Sequence, residues 1–136
     1  MRVGVDFGYA LGGAQSEAAV AAVVRAEELG FDVALLREAS DAVLRAAGDM
    51  TARIAVMCTT CDVGVRAVRV SVTDLPAPDD LERLARAGVE LAIVELPAGD
   101  PVVLLDRVAP DLVPWAHCTD FVAPGVGTPI SKSQVA

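Results

Sequence analysis

The strongest constraint on this chain is a helix-to-strand unit that occurs twice, at an interval of 58 residues. Residues 25–36 read RAEELGFDVALL, and residues 83–94 read RLARAGVELAIV. In each segment a helix end is followed by a glycine (Gly30 or Gly88), an acidic residue and an apolar run of strand length. A glycine in this place is typical of a left-handed helix stop. Buried strands separated by helices predict a parallel sheet with helices packed against it.

The rest of the chain continues this alternation of apolar runs and segments with helical spacing. The predicted strands are residues 2–7, 33–36, 54–57, 65–73 and 91–96. The predicted helices begin at Ser16, at Ser40 or Asp41, at Pro78 and at Asp100. We expect Gly48 to end the second helix, Pro110 to kink or end the last one, and Trp115 to close the core beyond it.

One connection is too short for this pattern. Only a short loop separates the predicted strands 54–57 and 65–73, whereas a crossover between parallel strands needs about a dozen residues. Either the two strands form an antiparallel hairpin, or they follow one another because a segment of a longer fold is absent.

Composition and charge exclude several classes of protein. The chain has 136 residues, of which 54% are apolar, so it predicts one folded domain (residues 1–123) with a flexible tail (residues 124–136). Nineteen acidic against eleven basic residues give a net charge of −8, which disfavours nucleic acid and anionic membranes as partners. A membrane span needs about 18 apolar residues in a row, and no such run or signal peptide is evident. We therefore expect a cytoplasmic protein.

Two parts of the chain resemble the luciferase-like monooxygenase family. The segments RVGVDFG, SEAAVAAVVRAEELGFDVALLRE and TARIAV, within residues 2–56, look like the opening of its members. Residues 78–112 are similar to the last helices and strand of the same family. That family comprises flavin- and F420-dependent enzymes with (β/α)8 barrels. The resemblance implies FMN or F420 as cofactor and oxidation of a small organic substrate.

The chain is a shortened version of that pattern. Barrels of this type need about 250 residues, and the missing middle would fall between Cys58 and Val70. Many members carry Glu-His-His where this chain has Glu38-Ala39-Ser40. We expect an α/β fold: a truncated, TIM-barrel-like sheet of about five mostly parallel strands with about four helices. Because five strands leave open edges, we also predict a homodimer with residues 65–73 at or near the contact.

Candidate site residues follow from the rule that ligands of parallel β/α folds bind at the carboxyl ends of the strands. Asp6 and Glu38 are the candidate catalytic acids or bases, provided that burial raises their pKa. The flavin or F420 implied by the resemblance would be contacted by Phe7, Tyr9, Cys58, Thr59 and Glu95. The alternative is that the carboxylates cap helices or form ion pairs with Arg37, Arg53 or Arg69.

The cysteines and the single histidine suggest further chemistry. Cys58 and Cys61 form a C-x-x-C motif, but the sequence that follows predicts a turn instead of the helix that lowers a thiolate pKa. A zinc site would have to add His117 and Cys118 to these two residues. We expect reduced thiols and no metal, and a surface or packing role for His117 in a region after the last helix.

Three functions remain open. The first is a luciferase-like flavin- or F420-associated oxidoreductase with a pocket rebuilt at a dimer interface. The second is a cofactor-free descendant that binds a small molecule or catalyses an acid-base cyclisation or isomerisation through Asp6 or Glu38. The third is a non-catalytic accessory subunit.

Overall fold

The structure is a computed structural model, and it describes residues 1–8, 16–37, 39–58 and 66–118. These residues alternate between strands and helices, except where two strands follow one another in the middle of the chain. The elements are β1 (Arg2–Asp6), α1 (Ser16–Leu29), β2 (Val33–Leu35), α2 (Asp41–Asp49), β3 (Ala55–Met57), β4 (Ala67–Ser71), α3 (Pro78–Arg86), β5 (Leu91–Glu95) and α4 (Pro101–Cys118).

The strands form one open sheet in the order β3-β2-β1-β5-β4, and every pairing is parallel. The predicted α/β fold, a parallel sheet of five strands with four helices, is therefore confirmed. The hairpin alternative is excluded, because β3 and β4 occupy opposite edges of the sheet instead of pairing with each other. β1 lies at the centre and places its carboxyl end between those of β2 and β5.

All four helices pack on one face of the sheet. From β1 to β2, from β2 to β3 and from β4 to β5, the chain moves toward the same edge of the sheet. Because crossovers between parallel strands are right-handed, the helices of these three connections lie on the same face. The main core joins helical side chains to alternate strand residues, and each large buried side chain contributes about 1.5–3 kcal/mol before ordering costs. Its members include Val3, Val5, Phe7, Val23, Ala26, Leu36, Leu81, Val94, Leu105 and Leu112.

The other face of the sheet carries a second apolar cluster to which no described helix contributes. Val33 and Leu35 of β2 and Leu91 and Ile93 of β5 form this cluster, and each is at most 1% exposed. A sheet with helices on only one face, and with apolar side chains on the other, has the layering of an arc of a (β/α) barrel. This second face is called the inner face below.

The ends of the helices confirm some sequence predictions and correct others. Gly30 and Gly88 have φ angles of 99° and 95°, as their place after α1 and α3 predicts. Gly48, however, does not end α2, which continues to Asp49. Pro110 does not end α4 either, because buried side chains on both sides of it anchor the helix, which runs on to Cys118.

Trp115 does not close the core. It lies within α4, and the residue is 46% exposed. Within the residues that the structure describes, no helix is both long enough and apolar enough to cross a membrane.

Candidate functional site at the carboxyl edge of the sheet

Asp6 is the last residue of the central strand, and its side chain lies on the inner face. In the strand register it stands beside Leu35 of β2 and Glu95 of β5. Asp6 is only 3% exposed, and no other charged residue in the described part of the chain is buried. Because an ionised group in such a place is costly without partners, the surroundings of Asp6 decide its state.

Two arginines and one backbone amide satisfy this carboxylate. Arg37, two residues after the end of β2, donates from Nε and Nη2 to Oδ2 of Asp6 at 3.1 and 2.9 Å. Arg69 of β4 donates from Nη1 to the same oxygen at 2.9 Å. The amide of Gly8 donates to Oδ1 at 2.8 Å. Segments that lie far apart in the sequence are thus tied to the end of β1.

Glu95 ends β5 and joins this group through Arg69. Nη1 of Arg69 also donates to Oε2 of Glu95 at 2.6 Å, and Nη2 of Arg37 lies 3.9 Å from that oxygen. The side chains of Arg37, Arg69 and Glu95 are 47%, 36% and 42% exposed. We call these four residues the strand-end cluster: Asp6, Arg37, Arg69 and Glu95. The cluster has a buried carboxylate at its base and charged groups that are exposed to solvent.

The pKa of Asp6 reflects two opposing effects. Burial raises it, but the hydrogen bonds from Arg37, Arg69 and the Gly8 amide outweigh burial and hold the pKa below its usual value. Asp6 is therefore ionised at neutral pH. The raised pKa on which its expected role as a general acid depends is absent, and the alternative that it pairs with Arg37 and Arg69 is confirmed. An ionised carboxylate can still accept a proton or orient the two guanidinium groups.

Gly8 allows Arg37 to approach Asp6. A Cβ atom at position 8 would lie 2.8 Å from Cδ and 3.0 Å from Nε of Arg37, and 3.1 Å from Oδ1 of Asp6. Carbon atoms in ordinary contact are about 3.5–4.0 Å apart, so a side chain here would displace the guanidinium group. The glycine is therefore part of the construction of the site.

The structure separates the other predicted site residues. Glu95 lies in the strand-end cluster, as the strand-end rule predicts. Phe7 lies on the opposite side of the sheet with its side chain fully buried among the helices, so it has no exposed face for a cofactor. Cys58 is exposed after the edge strand β3, two strand positions or about 10 Å from β1. Glu38, Tyr9 and Thr59 lie outside the described residues.

The candidate metal ligands do not come together in the part of the chain that is described, where no group of three or more His, Cys, Asp or Glu side chains could hold a metal ion. Cys61 lies outside that part. His117 belongs to the last turn of α4 and not to a region after it, which corrects the sequence prediction. Its Nε2 lies 3.0 Å from Oδ2 of Asp32, an oxygen that also accepts a hydrogen bond from the Val3 amide. This pair lies at the amino end of the strands, away from the cluster.

Sequence reasoning named Arg69 only as an alternative ion-pair partner, not as a site residue, and it did not name Gly8 as a member of the site. The alternation of β4 was a usable signal, because Val68 and Val70 pack toward the helices and place Arg69 on the inner face. The order of the strands in the sheet could not be read from the sequence. Only that order brings Arg69 of β4 within hydrogen-bond distance of Asp6 of β1.

Comparison of this chain with protein-family models, with curated proteins and with solved structures finds no match in any of the three. The resemblance to the luciferase-like family therefore stays a prediction, and the geometry of the strand-end cluster carries the functional argument.

Proposed function

We propose that this chain is a cytoplasmic oxidoreductase of the luciferase-like kind, which binds FMN or F420 and acts on a small organic substrate at the carboxyl edge of its sheet. The observation that carries the proposal is the strand-end cluster. It combines a buried ionised carboxylate with two partly exposed arginines at the edge where parallel β/α folds bind ligands.

The cluster fits the charged part of these cofactors. FMN and F420 both carry a phosphate group, for which guanidinium groups are suitable donors. Barrels of this kind frequently bind phosphate after their last two strands, and in this sheet those strands are β4 with Arg69 and β5 with Glu95.

The ring of the cofactor has no aromatic partner among the described residues of the edge. Phe7 and Phe31 are buried in the core. Trp115 lies near the end of α4, at the opposite end of the sheet. The neighbouring Ala116 marks this position, because its carbonyl oxygen accepts a hydrogen bond from the amino group of Met1. A bound flavin or F420 would supply the electron transfer. The residues of this chain would hold its anionic group through Arg69 and Arg37, with Asp6 orienting both.

The test is a titration of the purified protein with FMN and with F420, followed by visible absorbance. We expect a saturable change in the spectrum of one cofactor, weakened in Gly8→Ala, in which Arg37 is displaced. Gly48→Ala is the matched control, since a Cβ atom there meets nothing within 4 Å. Absence of a spectral change with both cofactors would contradict the proposal.

The cofactor-free alternative, a small-molecule binder or an acid-base cyclase or isomerase, is favoured by one observation. The described edge offers charged groups and no aromatic stacking partner. In such a protein the ionised Asp6 would act as a base or as an orienting group. Thermal-shift screening against small organic acids separates the two candidates, because a ligand that stabilises the protein while FMN and F420 do not would favour this alternative. A protein stabilised by none of them would be left as an accessory subunit.

We also propose that the protein acts as a homodimer, with β4 at or near the contact. β4 pairs with β5 on one side, and no described strand pairs with its other side. Polar backbone groups along an open edge are a template for pairing with a second chain.

A further inference from the structure

We propose that Arg69 is the receptor for one oxyanion, a phosphate or carboxylate group of the ligand, which it binds side-on through Nε and Nη2. The inference rests on the proposed function only in placing the ligand at the carboxyl edge. It names the chemical group that the edge recognises and the residue that recognises it.

The hydrogen bonds of Arg69 leave that edge of its guanidinium group open. Nη1 alone makes the bonds to Asp6, at 2.9 Å, and to Glu95, at 2.6 Å. Nε and Nη2 have no hydrogen-bond partner among the described residues, and 36% of the side chain is exposed. Nε–H and Nη2–H point in parallel, with the spacing that matches two oxygens of a phosphate or carboxylate.

Two anchors hold this guanidinium group in place before any ligand arrives. Arg69 belongs to β4 and stands beside Ile93 of β5, so its side chain crosses β5 to reach Asp6 on β1. Asp6 is buried and also held by Arg37 and by the Gly8 amide, so it is a rigid base for the arginine. A donor pair fixed in advance loses less conformational entropy on binding than a mobile side chain does.

Hydrogen bonds to Arg69 and the charge of Arg37 favour an anion at the cluster, and the charge of Glu95 opposes it. The four side chains of the cluster carry two positive and two negative charges, so the cluster has no net charge of its own. Glu95 is the more exposed of the two carboxylates and accepts from the same Nη1 atom. An incoming oxyanion therefore gains two hydrogen bonds to Arg69 and the charge of Arg37, and it is opposed by the charge of Glu95. Removing that charge should strengthen binding, while removing Arg69 should abolish it.

The experiment is isothermal titration calorimetry with inorganic phosphate and, separately, with acetate, on the full chain and on four variants. Arg69→Gln should bind about tenfold more weakly or not at all, because two charge-assisted hydrogen bonds are lost. Arg69→Lys should also bind more weakly, since it keeps the charge but loses the planar pair of donors. Glu95→Gln should bind about two- to fivefold more tightly, in line with the usual worth of an exposed ion pair. Arg25→Gln, which removes an arginine paired with Asp106 on the helical layer, should bind like the unaltered chain.

The two arms identify the ligand group. Tighter binding of phosphate indicates a phosphorylated ligand, and tighter binding of acetate indicates an organic acid. The inference is overturned if neither anion binds at millimolar concentration, or if Arg69→Gln binds as well as the unaltered chain. If Arg69→Gln does not fold, Arg69→Lys and Glu95→Gln still decide, because their effects have opposite signs.

This result is independent of the test of the proposed function. If phosphate binding depends on Arg69 but the protein does not respond to FMN or F420, the role of Arg69 as an oxyanion receptor is supported and the proposed oxidoreductase function is contradicted. If a cofactor binds and Arg69→Gln leaves its titration unchanged, the oxidoreductase function is supported and the role of Arg69 as receptor is contradicted.

Discussion

The ionised state of Asp6 depends on three neighbours, and the stability of the carboxyl edge depends on that state. The carboxylate is buried, but four hydrogen bonds from Arg37, Arg69 and Gly8 stabilise its charged form. The pKa of Asp6 is consequently lower in the folded chain than in the unfolded one. A residue of this kind links stability to pH.

We predict that the contribution of Asp6 to stability is fully present above about pH 4, the usual pKa range of an aspartate. It is lost as the pH falls through the lowered pKa of the folded state, because the proton then binds more tightly to the unfolded chain. Asp6→Asn should cost about 2 kcal/mol at pH 7 and should flatten the acid limb of the stability profile. Urea unfolding between pH 2 and 7 measures both effects. A variant with an unchanged acid limb would show that Asp6 is not the linked group.

Gly30, which follows α1, and Gly48, which lies inside α2, are expected to respond to alanine in opposite directions. Gly30 has a φ of 99°, and a Cβ atom there would lie 2.9 Å from Cγ1 of Val113. Gly30→Ala should therefore destabilise the protein by about 2 kcal/mol or more, while Gly48→Ala, inside α2 and in open space, should stabilise it by about 0.5–1 kcal/mol. Thermal unfolding of both variants measures the difference, and equal shifts would contradict this account.

At the scale of elements, hydrogen bonds between the side chain of one segment and the backbone of another connect the helices and strands. Oε2 of Glu27, near the end of α1, accepts hydrogen bonds from the amides of Ala52, Arg53 and Ile54 at 2.9, 2.6 and 3.0 Å. The guanidinium of Arg53 donates in return to the carbonyl oxygen of Glu27 at 2.8 Å. The amides of Ile54 and Arg53 contribute most to lowering the pKa of Glu27. One glutamate thus fixes the entry into β3 against α1.

We predict that Glu27→Ala lowers the midpoint of urea unfolding, because it leaves three amides without their acceptor. Glu28→Ala is the control. It removes the next glutamate, whose side chain is 60% exposed and paired only with Arg25 in the described contacts. Its midpoint should barely move. If the two variants unfold at the same urea concentration, the link between α1 and β3 is not a source of stability.

At the scale of the whole molecule, the open sheet leaves β3 and β4 at its edges. Backbone groups of alternate residues in a parallel strand face opposite neighbours. The carbonyl of Arg66 accepts from the amides of Glu90 and Leu91, so the amides of Val68 and Val70 face β5. Those of Ala67, Arg69 and Ser71 face away from it. A proline at Val70 therefore tests the sheet itself, and a proline at Ala67 tests the open edge.

We predict that Val70→Pro destabilises the fold by about 3 kcal/mol, whereas Ala67→Pro is tolerated, since a proline on an outer edge removes no bond within the sheet. Light scattering over a concentration series should show the unaltered chain at twice 14.0 kDa and Ala67→Pro at the monomer mass. A chain that stays monomeric at high micromolar concentration would refute the homodimer. If Ala67→Pro folds and dimerises as tightly as the unaltered chain, β4 is not part of the dimer contact.

The sequence by itself determined the local structure of this protein. The glycines after α1 and α3, the proline that opens α3 and the unbroken apolar strands act over a few residues, so their effects are readable without the fold. The same local rule placed Asp6 and Glu95 at strand ends. It failed for Gly48, which was expected to end α2 but lies inside it. Of the two outcomes expected for Pro110, a kink or an end, the end does not occur, because packing of the buried face of α4 carries that helix past its proline.

Only the tertiary structure decided which strand ends meet. Placement of β4 beside β5, and not beside β3, depends on long-range packing of all four helices on one face, and no spacing in the sequence encodes it. That strand order brings Arg69 to an aspartate 63 residues away and sets the pKa of Asp6. The charged residues of the site were visible in the sequence, but their pairing is a property of the assembled sheet, because electrostatic and hydrogen-bond energies depend on distances of a few ångströms.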